Sequence, residues 1–69
     1  MRKRSVNIAG HQTSITLEDE FWAELQAIAQ KQGLSINKLV EQIDAKRHQD
    51  KNLSSAIRVF ILQALQEGR

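Results

Sequence analysis

Gln12-Thr13-Ser14-Ile15-Thr16-Leu17, running straight into Glu18-Asp19-Glu20-Phe21, is the stretch that decides the fold. Polar Gln12, Ser14 and Thr16 alternate with Thr13, Ile15 and Leu17, and a period of two rich in β-branched residues predicts a short strand with one buried face. The three acids that follow suit the positive amino end of a helix dipole. The strand is therefore expected over 12–17, and a helix directly after it over 18–32.

Working outward, the run before Gly10 alternates as well, with Val6 and Ile8 on one side and Ser5, Asn7 and Ala9 on the other. Its parity changes across Gly10, which excludes one continuous strand. Two readings remain open for residues 1–11. One is a first hairpin strand, closed by Gly10-His11 as a two-residue type II′ loop that sets Ile8 opposite Thr13 and Val6 opposite Ile15. The other is a loose basic arm kinked at Gly10.

Downstream, Phe21, Leu25, Ile28 and Ala29 fall at helical spacing with Trp22 beside them, and Gly33 is placed to close the helix in a left-handed conformation. Ser35 is a good cap for a second helix over 35–46, whose apolar face is Ile36, Leu39, Val40 and Ile43. The polar run Asp44 to Lys51, with a solvated His48, reads as a connector. Asn52 or Ser54 can cap a third helix over 52–66, whose residues Leu53, Ala56, Ile57, Phe60, Ile61, Ala64 and Leu65 form a wide apolar stripe. Val59 and Leu62 extend that stripe around most of the helix, which therefore needs cover. The expected class is mainly α with a short N-terminal β-ribbon, in one domain over 1–69.

The chain has 69 residues, no cysteine and no proline, with 41% hydrophobic and 26% charged residues. That composition is globular. With neither disulfides nor a thiolate metal site, a single core below about 70–80 residues rarely supplies more than about 3–5 kcal/mol, so a homodimer is expected. Charge is segregated: Arg2, Lys3 and Arg4 make the start basic, whereas Glu18, Asp19, Glu20 and Glu24 against Lys31 make the next stretch acidic. Doubling the basic start in a dimer favours a polyanionic partner.

No apolar run is long enough for a bilayer, and Arg2 to Arg4 lead into Ser5, Val6 and Asn7 rather than an apolar signal core. A cytoplasmic protein without membrane association is expected. Glycine-rich phosphate loops, paired carboxylates in an apolar setting and nucleophile–base pairs are missing from the sequence. His11 and Ser14, three apart on a strand, point to opposite faces. No enzyme activity, cofactor or metal is expected.

The succession of Gln12–Leu17, then Phe21 to Gln32, then Gly33-Leu34-Ser35-Ile36-Asn37 resembles the ribbon-helix-helix family of DNA-binding repressors typified by Arc and MetJ. The resemblance covers about residues 12–44. It implies a bacterial or phage transcription regulator, a homodimer whose two strands pair antiparallel and lie in the major groove of double-stranded DNA. On that basis Gln12, Ser14 and Thr16 are the expected base contacts. Ser35 and Asn37, with Lys38 beside them, are the expected phosphate clamp, since the free N–H groups of a helix start attract anions. Arg2, Lys3 and Arg4 would add phosphate contacts. Ile15, Leu17, Phe21, Leu25, Ile28, Leu39, Val40 and Ile43 are expected at the dimer core.

Two departures stand beside the match. Many relatives carry Arg or Lys at a base-reading strand position, whereas Gln12, Ser14 and Thr16 are neutral. The third helix is extra, and Asn52-Leu53-Ser54-Ser55-Ala56-Ile57-Arg58 itself looks like the family's second-helix consensus, which would move the phosphate clamp to Ser54 and Ser55. The alternative function is a protein-interaction module, an antitoxin-like dimer whose third helix docks a partner.

Overall fold

A computed structural model describes residues 2–47 and 52–68. The element order is β1 (Arg2–Ile8), β2 (His11–Leu17), α1 (Asp19–Gln32), α2 (Ile36–Lys46) and α3 (Leu53–Glu67). The expectation for His48 falls outside the described residues.

β1 and β2 form one antiparallel two-stranded sheet, so the first eleven residues supply a hairpin strand and not a loose arm. The turn differs from the one expected. Ala9 and Gly10 both have positive φ, at 51° and 84°, the pattern of a type I′ loop, and Ile8 pairs with His11. Val6 consequently faces Thr13, and Arg4 faces Ile15. The physical reason lies in the hydrogen-bond alternation. With Ile8 and His11 as the closing bonded pair, the N–H of Asn7 points out of the ribbon. There it donates to Asn37 Oδ1 on α2 at 3.2 Å, and Ala9 N–H donates to Glu41 Oε2 at 3.4 Å. The Gly10-His11 register would turn the Asn7 N–H inward and lose the first of these bonds. α2 thus closes the outer edge of β1 over residues 7–9.

Gly33, at φ 71°, ends α1 in the left-handed region, and Leu34 N–H donates back to Ala29 O. Ser35 caps α2 by accepting from Lys38 N–H, and Asn52 caps α3 by accepting from Ser55 N–H. Among the described residues the core draws on every element: Val6, Ile15 and Leu17 from the ribbon, Leu25 and Ala29 from α1, Leu39, Val40 and Ile43 from α2, and Ile57 and Ile61 from α3. All are closed off within one chain. Of the eight residues expected at a dimer core, Ile15, Leu17, Leu25, Leu39, Val40 and Ile43 belong to this internal core, while Phe21 and Ile28 are half-buried at its margin. A second subunit is not needed to bury them.

Candidate nucleic-acid interface

Strand alternation divides the ribbon into two faces. Arg2, Arg4, Val6, Ile8, His11, Thr13, Ile15 and Leu17 share the face toward the helices. Lys3, Ser5 and Asn7 of β1 share the opposite face with Gln12, Ser14 and Thr16 of β2. All six are polar, none is acidic, and all are exposed except half-buried Thr16. The three expected base-contact residues are therefore brought together on one solvent face, and Lys3 lies directly opposite Thr16. A two-stranded ribbon of this kind matches a major groove about 12 Å wide.

The basic start divides unexpectedly. Only Lys3 of its three cations lies on the outer face. The Arg4 guanidinium stacks over the Trp22 ring, 4.5 Å from its centroid, and its Nη2 lies 3.2 Å from Asp19 Oδ1. Arg2 Nε sits 3.7 Å from the same carboxylate. Two of the charges expected on phosphates thus neutralise the acidic opening of α1. The cause is parity: Val6 must face the core, and Arg4 and Arg2 follow at intervals of two. Thr13 shares their face yet is exposed, because the distal half of the hairpin overhangs a groove beside Leu53 and Ser54.

Ser35, Asn37 and Lys38 open α2 beside β1. The Ser35 hydroxyl is occupied as a cap and the Asn37 carbonyl oxygen by Asn7 N–H. The Asn37 amide NH₂ has no protein partner among the described residues, and the Lys38 ammonium lies 3.8 Å from Glu41 Oε1 with 60% of its side chain exposed, so both can reach an anion.

Sequence reasoning missed the junction between β2 and α3. Ser54 Oγ accepts from Thr16 N–H at 3.1 Å, while Arg58 donates through Nη2 to Thr16 O at 3.1 Å and through Nε to Glu18 Oε1 at 3.1 Å. Bonds from its own backbone N–H and from Arg58 hold the Glu18 carboxyl below its ordinary value of 4.5. The signal was present in the Asn52 to Arg58 segment, whose Ser54 and Arg58 fall one helical turn apart on one flank.

A family model described as a ribbon-helix-helix domain matches residues 1–65, and the chain belongs to that family. The match runs into the third helix as far as residue 65, so the additional helix falls within the matched domain. The family is one of DNA-binding transcription regulators that are generally dimeric, and its domains are regulatory folds, not enzymes. No curated protein and no solved structure matches the chain. No helix among the described residues is long and apolar enough to cross a membrane, and no group of His, Asp and Glu among them could hold a metal ion.

Proposed function

We propose that this ribbon-helix-helix protein is a homodimeric, sequence-specific DNA-binding regulator, acting in the bacterial cytoplasm, that presents the outer face of its ribbon to the major groove. The observation that carries the reading is the acid-free polar face of Lys3, Ser5, Asn7, Gln12, Ser14 and Thr16. Gln12 has the bidentate amide that suits adenine, and Ser14 and Thr16 offer hydroxyls to several base edges. Lys3, together with Asn37 and Lys38 at the start of α2, contacts phosphates. Arg4 is left out of that set because Trp22 and Asp19 occupy it; Arg2, with 73% of its side chain exposed, keeps a peripheral role.

The test is a fluorescence-anisotropy titration on a duplex selected by the purified protein and on random duplex. Gln12→Ala, Ser14→Ala and Thr16→Ala each lower the ratio of specific to non-specific affinity, by about 1–3 kcal/mol for a good bidentate contact and less for a hydroxyl. Folding stability changes by no more than about 0.5 kcal/mol. An unchanged ratio in all three variants removes the ribbon as the reading element.

A second reading, docking of a protein partner on α3, is favoured by Val59, Leu62 and Leu65, which are 42%, 52% and 43% exposed. A soluble dimer that binds no duplex, and whose Leu62→Glu variant loses a co-purifying partner, supports that reading over the first.

A further inference from the structure

The ribbon is held by its two edges at opposite ends. Near the turn, α2 takes outward N–H groups of the first strand and its loop, that of Asn7 on Asn37 and that of Ala9 on Glu41. At the far end, α3 takes the backbone of β2: Thr16 N–H donates to Ser54 Oγ and Thr16 C=O accepts from Arg58 Nη2, both at 3.1 Å. The Asn7–Gln12 and Lys3–Thr16 pairs lie about 14 Å apart along the ribbon, at about 3.4 Å per residue. These bonds act in a direction that the core does not. Side chains stand roughly perpendicular to a sheet, so Val6, Ile15 and Leu17 set how deeply the ribbon sits on the helices. Backbone N–H and C=O groups point sideways from a strand, so partners on the two edges oppose sliding and rotation within the plane of the ribbon. One edge alone leaves a pivot; two edges held at opposite ends leave none.

Arg58 also reaches past Thr16. Its Nε donates to Glu18 Oε1 at 3.1 Å, so one guanidinium fork spans Leu17 and binds the residues on either side of it. That is the elbow where β2 becomes α1. Glu18 stands at the N-cap of α1 without a side-chain cap bond, its carboxylate bonded to Arg58. Leu17 anchors the elbow in the core from beneath, and Arg58 closes it from the side.

We infer that Arg58 and Ser54 are positioning residues for DNA reading: by holding Thr16 they set the pose of the outer face of the ribbon in the groove, without touching DNA themselves. The inference deepens the proposed function and rests on it for the role of that face. Binding constellations tolerate misplacement of only about 0.5 Å. Thr16, half-buried beside α3 with Lys3 directly opposite, is the member of the outer face through which α3 enforces that tolerance. Ser54, which the alternative placement of the phosphate clamp would put on DNA, is committed to the strand instead.

The test extends the anisotropy titration, on the selected duplex and on random duplex, to variants of α3. Ser54→Ala and Arg58→Gln each lower the ratio of specific to non-specific affinity by roughly 5-fold, the low end of the value of one base contact. Ser54→Thr keeps the hydroxyl and restores the ratio. Arg58→Lys does not, because a single ammonium cannot span Thr16 and Glu18 as the fork does. Ile61→Val loosens the same helix from inside the core and leaves the ratio unchanged, which separates positioning from a general loss of stability. In a Thr16→Ala background the effects of Ser54→Ala and Arg58→Gln shrink, because residues acting through one contact are not additive. Salt dependence excludes a direct role: the log-log slope stays in place in Arg58→Gln, whereas loss of a phosphate contact would remove about 0.9 per copy. Should Arg58→Gln fail to fold, Ser54→Ala and Ser54→Thr decide the matter. If Thr16→Ala lowers the ratio while Ser54→Ala and Arg58→Gln do not, if Ile61→Val lowers it equally, or if Arg58→Gln flattens the slope, the inference is overturned and the ribbon still reads DNA. If Gln12→Ala, Ser14→Ala and Thr16→Ala all leave the ratio in place, the ribbon reading itself fails and the positioning role falls with it.

Discussion

Lys3 and Arg4 are adjacent in sequence and identical in charge, and the structure places them on opposite faces of the ribbon. Arg4 lies 4.5 Å above the Trp22 ring with 25% of its side chain exposed, so the contact is largely desolvated. A cation–π pair in that condition contributes about 0.5–2 kcal/mol. Its ion pair with Asp19, whose side chain is 62% exposed, adds no more than about 1 kcal/mol. Arg4→Ala therefore costs about 0.5–3 kcal/mol, and in a domain of this size each kcal/mol lowers Tm by about 4–8 °C. Lys3→Ala costs nothing measurable in stability. On DNA the order inverts, because each phosphate contact contributes about 0.9 to the slope of log affinity against log salt, and two copies of Lys3 contribute about 1.8. Thermal melting followed by circular dichroism, with Trp22 fluorescence as a local reporter, gives the first quantity. Anisotropy titrations across a range of salt give the second. If Arg4→Ala leaves Tm in place and flattens the salt dependence as much as Lys3→Ala does, the division of the two faces by strand parity is wrong.

The remaining expectations concern the turn, the α3 junction and the core. Ala9 occupies the left-handed region at φ 51°, so Ala9→Asn or Ala9→Gly stabilises the hairpin by up to about 1 kcal/mol, read as a higher denaturation midpoint with unchanged slope. Glu18 has a depressed carboxyl, so its pairing with Arg58 contributes stability above the ordinary value of 4.5, lost as pH falls through the lower folded value. Acid titration of the Glu18 side chain by NMR checks this, and Arg58→Gln should move its midpoint back up toward 4.5. Ile61, fully buried between α3 and the core, costs about 2–5 kcal/mol when cut to alanine, measured by urea unfolding. Because Ile61 is closed off inside one chain, the loss should appear equally at dilutions where the protein is monomeric.

Much of the fold was legible because its signals are local. Ser35 and Asn52 cap the helices expected of them, Gly33 closes α1 as a left-handed residue, and each helix boundary falls within a residue or two of its sequence estimate. The hairpin was harder. Type II′ with Gly10 first and type I′ with Gly10 second both satisfy the glycine, and the choice is made by Asn37 and Glu41, thirty or more residues away. The small error in register left the faces of the strands untouched, since side-chain parity within a strand does not depend on which residue lies opposite. For that reason Gln12, Ser14 and Thr16 form one set whichever residues lie across from them.

The same parity argument, extended one strand upstream, explains what the sequence reading of the basic start left out. Treating Arg2, Lys3 and Arg4 as one charged arm assumes that neighbouring cations share a fate, which holds for a disordered tail. In a strand, neighbours point to opposite faces. Once Val6 is committed to the core, Arg4 must pass over α1, where Trp22 and Asp19 stand ready, and Lys3 must face the solvent. The first strand of each chain then turns one ammonium, that of Lys3, to the outer face, opposite Thr16 and beside the candidate reading residues. Under the proposed function, affinity is assembled from both subunits and from the start of α2, an arrangement that favours a dimer reading by position over a monomer that clings by charge.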